Sequence, residues 1–394
     1  MKLSKDKTKV LILSHFLINP FQNNSAASTA MAAFLKDKVK KVVQIEHPFP
    51  DSKDNHSYIS IYKNGELKIK KKEILIKKPD WVSYILQTLT NISYFLEYEL
   101  RYDLGIVCEN LSFISVWPLR KLGLVKKLIY YSVDYVEIRF QNPLLNKMYH
   151  TIDRFACKYS DENWVTSEAQ IKGRESNGID LRKCSPFKIV PIGFRLSEIN
   201  ISPMTKSKYY NLVFCGTLRE SAGPQLIIES LPFIIQNFPK VVITFVGSGE
   251  YKKYLLKLAT KLGVKKYIKF LTNVKNHKRI IQILTNCSIG FAPYAPVPES
   301  ISYRSDPGKI KLYLACGLPV ITTRIATSHK VIASNKAGVV IDYNEGDLSK
   351  AVSRLLGNKD RYEVYRKRAI LLSKRYDADR ILSHAFRSTI RSHV

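Results

Sequence analysis

Three loops in the second half of the chain combine glycine with a cation or with small residues, a combination suited to binding phosphate. In the first, Cys215–Arg219, an apolar run ends and a helical pattern follows. Gly216 would let the backbone approach a ligand, amides at the next helix start would face an anion, and Arg219 would add a charged fork. The alternative is an ordinary strand-to-helix turn with a surface arginine.

The other two loops also lie between a strand and a helix. Val246–Gly249 contains GxG but lacks the third glycine of a dinucleotide fingerprint, so we interpret it as a tight turn near a nucleotide. In the third loop Asp306 can cap a helix, Pro307 suits its first position and Lys309 follows. The helix dipole disfavours a lysine there unless an anion lies beside the free amides; a solvated lysine is the alternative.

In the first half, polar side chains stand at the ends of two predicted strands. Ser14 and His15 end the first strand, and Asp134 follows a later one. Asp134 is the best-placed carboxylate for a general base or for orienting an acceptor. Its alternative role is to cap the next helix.

Strands and helices must alternate to position these loops, and the sequence predicts two such series separated by a polar segment. Ligands of open parallel sheets bind at the carboxyl ends of the strands. We therefore expect an α/β protein of two Rossmann-like, doubly wound domains that face a central cleft. The predicted parts are a first domain, a linker, a second domain and a C-terminal helix, at residues 1–195, 196–210, 211–376 and 377–394.

Composition limits the classes of protein that are possible. A hydrophobic content of 45% with 24% charged residues is typical of a globular protein. No apolar run is long enough to span a membrane and the N-terminus lacks a signal-peptide pattern, so we expect a cytoplasmic protein. The net charge of +30 favours anionic partners such as nucleic acid, phospholipid headgroups or phosphorylated small molecules, or is merely a solubilising surface.

Neither a metal nor a disulfide framework is predicted. The 6 cysteines are spread along the chain without a CxxC or His/Cys cluster. The sequence Asp377-Ala378-Asp379 spells DxD, a metal motif in another fold, but it starts a terminal helix instead of following a strand. We interpret it as a helix cap.

From about residue 205 to 375 the chain resembles the donor domain of GT-B glycosyltransferases of the group 1, family-four-like kind. Residues 130–153, which include YYSVDY and RFQNPLLNKMYH, are more loosely similar to the acceptor domains of the same enzymes. The segments that carry the main resemblance are, in order, FCGTL at 214–218, FVGSGE at 245–250, YIKFLTNV at 267–274, APY at 292–294 and PGKIKLYLACGLPVI at 307–321.

The resemblance implies a nucleotide-diphosphate-sugar donor of the UDP or GDP type as co-substrate, with no other cofactor and no metal. It makes 1–195 the acceptor-binding domain and 211–376 the donor-binding domain, and it implies that the terminal helix crosses back to the first domain. The diphosphate would lie between Gly216, Arg219 and Lys309. The full set of implied donor contacts is Gly216, Thr217, Arg219, Gly247, Gly249, Val274, Tyr294, Ser305, Asp306 and Lys309.

On the acceptor side the candidates are Asp134 as the catalytic residue and Ser14, His15 and Arg139 as contacts. A glycan or lipid-linked molecule is the expected acceptor.

The chain also departs from the family pattern. Many retaining members carry Glu-x7-Glu, and the corresponding residues here are Arg304 and Leu312. Asp306 and Glu299 are nearby carboxylates that can take over sugar or ribose contacts. Ala222-Gly223 stands where Lys-Gly is usual. Retention or inversion at the sugar carbon therefore stays open.

These inferences predict a hexosyltransferase in polysaccharide, glycolipid or cell-envelope glycan biosynthesis. A nucleotide-sugar epimerase of the same fold is the alternative. A basic nucleic-acid-binding protein is a weaker one because no RNA-binding signature is present, and no nucleic-acid partner is expected. Aromatic and aliphatic residues at 81–96, near the basic strand 68–78, suit peripheral contact with the inner face of an anionic membrane; a buried core helix is the alternative.

Overall fold

The computed structural model describes residues 3–19, 22–24, 26–49, 52, 56–74, 80–140, 142–201, 203–272, 274, 276–297, 303 and 307–391. The chain forms two compact units. One is Met1–Ile192 together with Asp379–Val394, and the other is Gly193–Ala378. Each unit contains a largely parallel sheet covered by helices, which confirms the predicted α/β class.

In the first unit, the described strands form one sheet in the order β5-β4-β3-β1-β6-β7-β8-β9, with β2 paired to β1 outside this order. The hairpin β4–β5 is antiparallel and turns at Asn64-Gly65, both with positive φ, as its Asn-Gly signal predicts. The strands are β1 Lys9–Asn19, β2 Gln22–Asn24, β3 Lys41–Pro48, β4 His56–Lys63, β5 Glu66–Ile74, β6 Leu104–Val107, β7 Leu128–Ser132, β8 Glu162–Val165 and β9 Phe187–Ile189.

Helices cover both faces of this sheet. Apolar side chains from β1, β3 and β4 pack against α2, and those on the opposite face of β1 pack against α1. The helices of this part of the chain are α1 Ala26–Leu35, α2 Asp80–Tyr98, α3 Asn110–Lys121, α4 Pro143–Tyr159 and α5 Glu168–Ser176.

The second unit has six described strands, all parallel, in the order β12-β11-β10-β13-β14-β15. Strand order therefore reverses between β10 and β13, the place where open α/β sheets bind their ligands. The strands are β10 Asn211–Cys215, β11 Val242–Val246, β12 Ile268–Leu271, β13 Ile289–Ala292, β14 Val320–Thr323 and β15 Gly338–Ile341. The helices are α6 Lys206–Tyr209, α7 Pro224–Asn237, α8 Lys252–Lys261, α9 His277–Leu284, α10 Gly308–Ala315, α11 His329–Ser334, α12 Glu345–Leu356 and α13 Lys359–Ser373.

Tyr313, on α10, fixes that helix against the two central strands. Its hydroxyl accepts a hydrogen bond from the amide of Cys215 at 2.6 Å and donates one to the carbonyl of Phe291 at 3.2 Å. Its ring lies directly over Gly290, where a β-carbon would be 2.5 Å from the ring. The position of α10 relative to the carboxyl ends of β10 and β13 is thus set by one buried side chain.

The last helix, α14 Ala378–Arg391, packs on the first unit. The ring of Phe386 lies 5.2 Å from Trp164 and 5.8 Å from Phe34, centroid to centroid. Lys127 donates a hydrogen bond to the carbonyl of Thr389 at 2.8 Å. The first unit is therefore assembled from two stretches of chain.

The segment 196–210, which we expected to be a linker, lies within the second unit. Tyr209 is buried, with its ring 5.0 Å from that of Tyr362. Its hydroxyl donates to the carbonyl of Leu356 at the end of α12, at 3.1 Å. The polar composition of the segment gave no sign that Tyr209 packs against Tyr362.

Among the described residues, no helix has both the length and the apolar character required to cross a bilayer.

Candidate functional site

In the second unit, the candidate site lies where strand order reverses. The loop after β10, residues 216–223, and the loop after β13, residues 293–297, leave neighbouring strands at the same edge. They are joined because the amide of Ala295 donates to the carbonyl of Ser221 at 3.1 Å. The start of α10 is held at this edge by Tyr313.

Lys309, the second residue of α10, is the central cation of this edge. Its ammonium lies over the ring of Phe214 at 4.4 Å and over that of Tyr294 at 4.8 Å from the centroids. A β-carbon built on Gly216 would be 3.3 Å from the Lys309 nitrogen. The structure therefore brings three predicted donor residues, Gly216, Tyr294 and Lys309, into contact.

The pKa of Lys309 is also strongly shifted at this edge of the sheet. Burial lowers the pKa of Lys309 to about 7, and the nearby positive charge of Arg219 lowers it further. Within the described residues, no carboxylate forms an ion pair with either cation. Two cations that repel each other at the start of a helix are stabilised when an anion binds between them.

The remaining predicted donor residues differ in whether they contact Gly216, Tyr294 and Lys309. Gly247 is in close contact with Gly216, because a β-carbon on it would lie 1.9 Å from the Gly216 carbonyl oxygen. Gly249 approaches Leu218 in the same manner. Thr217 and Arg219 are exposed, and Val274 is partly buried in the loop after β12. Ser305 and Asp306, like Arg304 and Glu299, lie outside the described residues.

The amides of the first loop do not serve as we expected. Those of Gly216 and Gly247 donate to Val246 and Leu271, which extends the sheet. Helix α7 begins at Pro224, which has no amide hydrogen, after a short turn whose amides bond within the loop. The helix start available to an anion is that of α10, where the amide of Ile310 bonds to the carbonyl of Pro307 and those of Gly308 and Lys309 precede the first helical hydrogen bonds.

Gly223 holds the two loops together and provides a test of this geometry. It has φ 73°, and a β-carbon on it would lie 1.7 Å from the carbonyl oxygen of Pro293. Gly263 has a similar φ of 68° but open space around it. We expect Gly263→Ala to lower the free energy of unfolding by about 1–2 kcal/mol, the cost of the left-handed backbone. Gly223→Ala should lower it by at least about 4 kcal/mol, because Pro293 must also move.

Urea denaturation of both variants measures this difference. Equal losses for the two would contradict the close packing of the 216–223 and 293–297 loops.

In the first unit, acidic and polar side chains line the carboxyl ends of four neighbouring strands. In sheet order β3-β1-β6-β7, these ends carry Glu46, Ser14 with His15, Glu109, and Asp134. Ser14 is buried and its hydroxyl has no hydrogen-bond partner among the described residues. The edge thus offers carboxylates and a buried hydroxyl rather than cations.

His15 is enclosed in a polar network instead of facing outward. Burial lowers its pKa to about 3, so the ring is neutral at physiological pH. Its Nε2 lies 2.7 Å from Oε1 of Gln87, which accepts, and Nδ1 lies 3.4 Å from the hydroxyl of Ser112. The His15 ring stacks on the ring of Phe49. The guanidinium of Arg139 lies over the same Phe49 ring, 5.0 Å from its centroid.

Asp134 is an exposed carboxylate on a fixed loop. The carbonyl of the preceding Val133 accepts hydrogen bonds from Gln170 at 2.9 Å and Thr166 at 3.2 Å. The alternative that Asp134 caps the next helix is wrong, because α4 begins at Pro143 and is capped by Asn142. Its position is therefore not explained by helix capping.

A buried ion pair between Arg174 and Asp153 fixes the strand that precedes this loop. Arg174 and Asp153 are fully enclosed and make two contacts of 2.9 Å. Arg174 also donates to the hydroxyl of Ser132 at 2.7 Å, and Tyr130 donates to Asp153 at 2.6 Å. Since these partners belong to β7, α4 and α5, they fix the end of β7 from which Asp134 projects.

Glu109 is a candidate that sequence reasoning missed. Burial raises its pKa to about 8, and the charge of Asp134 raises it further while Arg139 opposes the shift. It lies two residues after the buried strand β6 and directly before α3, without capping that helix through its side chain. An acid close behind an apolar strand was the available signal. In the part of the chain that is described, no group of His, Cys, Asp and Glu is suited to hold a metal ion.

Comparison with known proteins finds a family model that matches most of the second unit. Residues 198–371 match the family model described as glycosyl transferases group 1. The spore coat protein SA of Bacillus subtilis is 27% identical over 199 residues, which cover 48% of this chain and 50% of that protein. The match therefore spans about half the length of that curated relative.

Solved structures cover nearly the whole chain. Sucrose-phosphate synthase from Thermosynechococcus elongatus is similar with a TM-score of 0.71 and 12% identity, over 98% of this chain and 99% of that one. Anabaena HepE in complex with UDP-glucose is similar with a TM-score of 0.68 and 15% identity, over 97% and 99% of the two chains. These similarities confirm the GT-B fold.

Proposed function

Because its residues 198–371 belong to the group 1 glycosyltransferases, we propose that this protein transfers a hexose from a nucleotide-diphosphate sugar to a hydroxyl group of a glycan or lipid-linked acceptor. The observation that carries the proposal is that two cations, Lys309 and Arg219, lie near each other at the strand-order reversal of the second unit, with no ion-pair partner among the described residues. No feature of the described residues favours the epimerase or the nucleic-acid-binding alternative.

The second unit is proposed to bind the diphosphate of the donor. When the bond between the sugar C1 and the diphosphate oxygen breaks, negative charge grows on the leaving phosphate. Lys309, Arg219 and the amides at the start of α10 would stabilise this charge because they are already in place. Gly216 would leave room for the phosphates beside the Lys309 ammonium, and Gly247 allows the neighbouring loop to pack against the Gly216 carbonyl.

The first unit is proposed to supply the acceptor side. The acceptor oxygen forms the new bond to C1, and its proton passes to a carboxylate. Asp134 fits this role because it is an exposed carboxylate held on a fixed loop. Glu109 would modulate it: with a pKa near 8, it keeps a proton at neutral pH and adds no second negative charge. Ser14 and Arg139 remain proposed acceptor contacts, and His15 is proposed to position the loop residue Phe49 on which Arg139 stacks.

A UDP-sugar is the first donor to test, since HepE, which has the same fold, was solved with UDP-glucose. A GDP-sugar is the second. We further propose a role in cell-envelope glycan biosynthesis at the inner face of the cytoplasmic membrane.

A thermal-shift screen of UDP, GDP and their sugars tests the proposal. A ligand at a hundred times its Kd should stabilise the protein by about 2.7 kcal/mol. The same donors are then incubated with and without glycan and polyprenyl-phosphate acceptors, and labelled product is measured. Sugar interconversion without an acceptor would support the epimerase instead. Absence of any nucleotide shift, or salt-sensitive oligonucleotide binding that nucleotide sugars do not displace, would contradict the proposal.

A further inference from the structure

Over its first three turns, helix α2 has polar side chains inward, and its outward face is apolar along nearly its whole length. Ser83, Gln87 and Asn91, spaced four residues apart, are almost completely buried. Gln87 bonds to His15, and the Oδ1 atom of Asn91 lies 2.8 Å from Nε2 of His47. A surface helix of a globular protein normally shows the opposite arrangement.

The outward face forms a continuous apolar stripe. Its members lie within one side of the helix and extend about 22 Å along it. Their side chains are between 44% and 69% exposed. We call this set the α2 stripe; its residues are Trp81, Ile85, Leu89, Ile92 and Leu96. Removing this much apolar surface from water would be strongly favourable. An exposed patch of this kind indicates a binding surface.

The neighbouring helices extend the surface and give it charge. Helix α3 joins α2 through a hydrogen bond from Asn91 to Ser115 at 3.1 Å, and it joins α4 through Trp117, whose ring lies 5.0 Å from that of Phe155. Helices α3 and α4 expose further apolar side chains and four cations, namely Ile114, Leu144, Met148, Lys121, Lys147, Arg154 and Lys158.

Among the described side chains of α2, α3 and α4, acidic residues do not offset these cations. Helix α3 contains no acid, and the single acid of α4, Asp153, is buried against Arg174. At the end of α2, Glu97 pairs with Lys71 at 3.5 Å, and the acid that follows is likewise paired with lysines. The outer layer formed by α2, α3 and α4 is therefore apolar and positively charged.

From this surface we infer that α2, α3 and α4 form a docking face for a bilayer rich in anionic phospholipid. Anionic headgroups would attract the cations while the α2 stripe enters the headgroup–acyl boundary, as in interfacial amphipathic helices. A second copy of the chain is a poorer occupant, because a symmetric contact would bring the same positive charges face to face. The inference deepens the proposed function, on which it rests for the lipid-linked acceptor.

Vesicle flotation with the full chain tests the inference. Vesicles of phosphatidylglycerol and phosphatidylcholine should bind the protein, pure phosphatidylcholine vesicles should bind it weakly, and high salt should reduce binding. The double variant Ile85→Ser/Leu89→Ser should reduce binding by about tenfold or more. Phe233→Ser, which changes an equally exposed apolar residue of the second unit, should leave binding unchanged.

A charge series separates headgroup attraction from apolar insertion. Each cation removed in Lys147→Gln/Arg154→Gln should weaken binding roughly fivefold. Lys253→Gln/Lys257→Gln, on α8, is the matched control. All variants should keep the nucleotide-induced thermal shift, which shows that they fold.

Two results would overturn the inference. One is failure of the wild-type protein to bind phosphatidylglycerol vesicles. The other is a concentration-dependent dimer that the Ile85→Ser/Leu89→Ser change converts to monomer with vesicle binding unaltered. Vesicle binding without any response to nucleotide would instead refute the proposed function and leave the docking face standing. Lys309→Ala should lose the nucleotide response and keep vesicle binding.

Discussion

Lys309→Ala should weaken the binding of the donor nucleotide roughly 10- to 150-fold, the range expected for losing a hydrogen-bonded ionic contact. The reason is that this ammonium lies between Gly216 and the start of α10, where the diphosphate is proposed to bind. Isothermal titration with UDP measures the loss. Unchanged affinity would refute the assigned role.

The same residue predicts a dependence on pH. The pKa of free Lys309 is about 7, below its ordinary value of 10.5, so half of the unliganded protein has a neutral lysine at neutral pH. A bound diphosphate favours the charged form of Lys309 and so raises its pKa. At a pH between the pKa of the free protein and that of the complex, binding is therefore accompanied by uptake of a proton. We expect affinity to fall by up to about tenfold per pH unit above pH 7, and Lys309→Arg to remove this slope because arginine stays charged.

Stability should respond in the opposite sense. Above pH 10.5 the depressed pKa of Lys309 has no effect on stability; as pH falls from about 10.5 to about 7 the unfolded chain takes up the proton first, so the folded protein loses stability across that range. In Lys309→Met that part of the pH dependence should vanish, without loss of stability at low pH. A variant that loses both nucleotide binding and thermal stability would indicate a structural role instead.

Asp134→Asn should lower kcat by about 10²- to 10⁴-fold, the usual contribution of a general base, while the Kd of the donor stays unchanged. The side chain is exposed and its loop is held by bonds to the carbonyl of Val133, so the substitution should not disturb folding. Asp6→Asn, an exposed acid that precedes β1 at the opposite edge of the sheet, is the control.

The Asp134 variant also has an effect that a structural role would not produce. The negative charge of Asp134 helps to raise the pKa of Glu109, after burial. Removing it should shift the alkaline limb of the pH–rate profile to lower pH. Full activity of Asp134→Asn with an identified donor and acceptor would exclude the residue as the base.

The sequence was sufficient for most of the alternation of strands and helices. The end of strand β10 before Gly216 and the start of helix α10 next to Pro307 lie where the sequence indicated them, because apolar runs there are bounded by glycine or proline. Helix α3 contains Pro118 in its interior, a position where local rules disfavour proline. A proline costs one hydrogen bond, and the packing of Trp117 on Phe155 opposes that loss in a way no local pattern reveals.

The sequence indicated candidate site residues where backbone geometry requires a particular residue type, and it gave no signal for those whose properties depend on burial. The glycine loops and Lys309 have a local signature, and the structure brings Gly216 and Lys309 together. His15 and Glu109 depend on partners far along the chain. The enclosure of His15 by Gln87, 72 residues later, and the shifted pKa of Glu109 follow only from the tertiary structure.

The divided first unit has a consequence for biosynthesis. During translation its strands leave the ribosome before the second unit is made, yet Phe34 and Trp164 are covered by Phe386 of the helix that follows that unit. The core of the first unit therefore stays incomplete, with these aromatic side chains exposed, while nearly two hundred intervening residues are synthesised. Nascent chains paused before α14 should bind chaperones that recognise exposed apolar segments, and release should follow when the helix emerges.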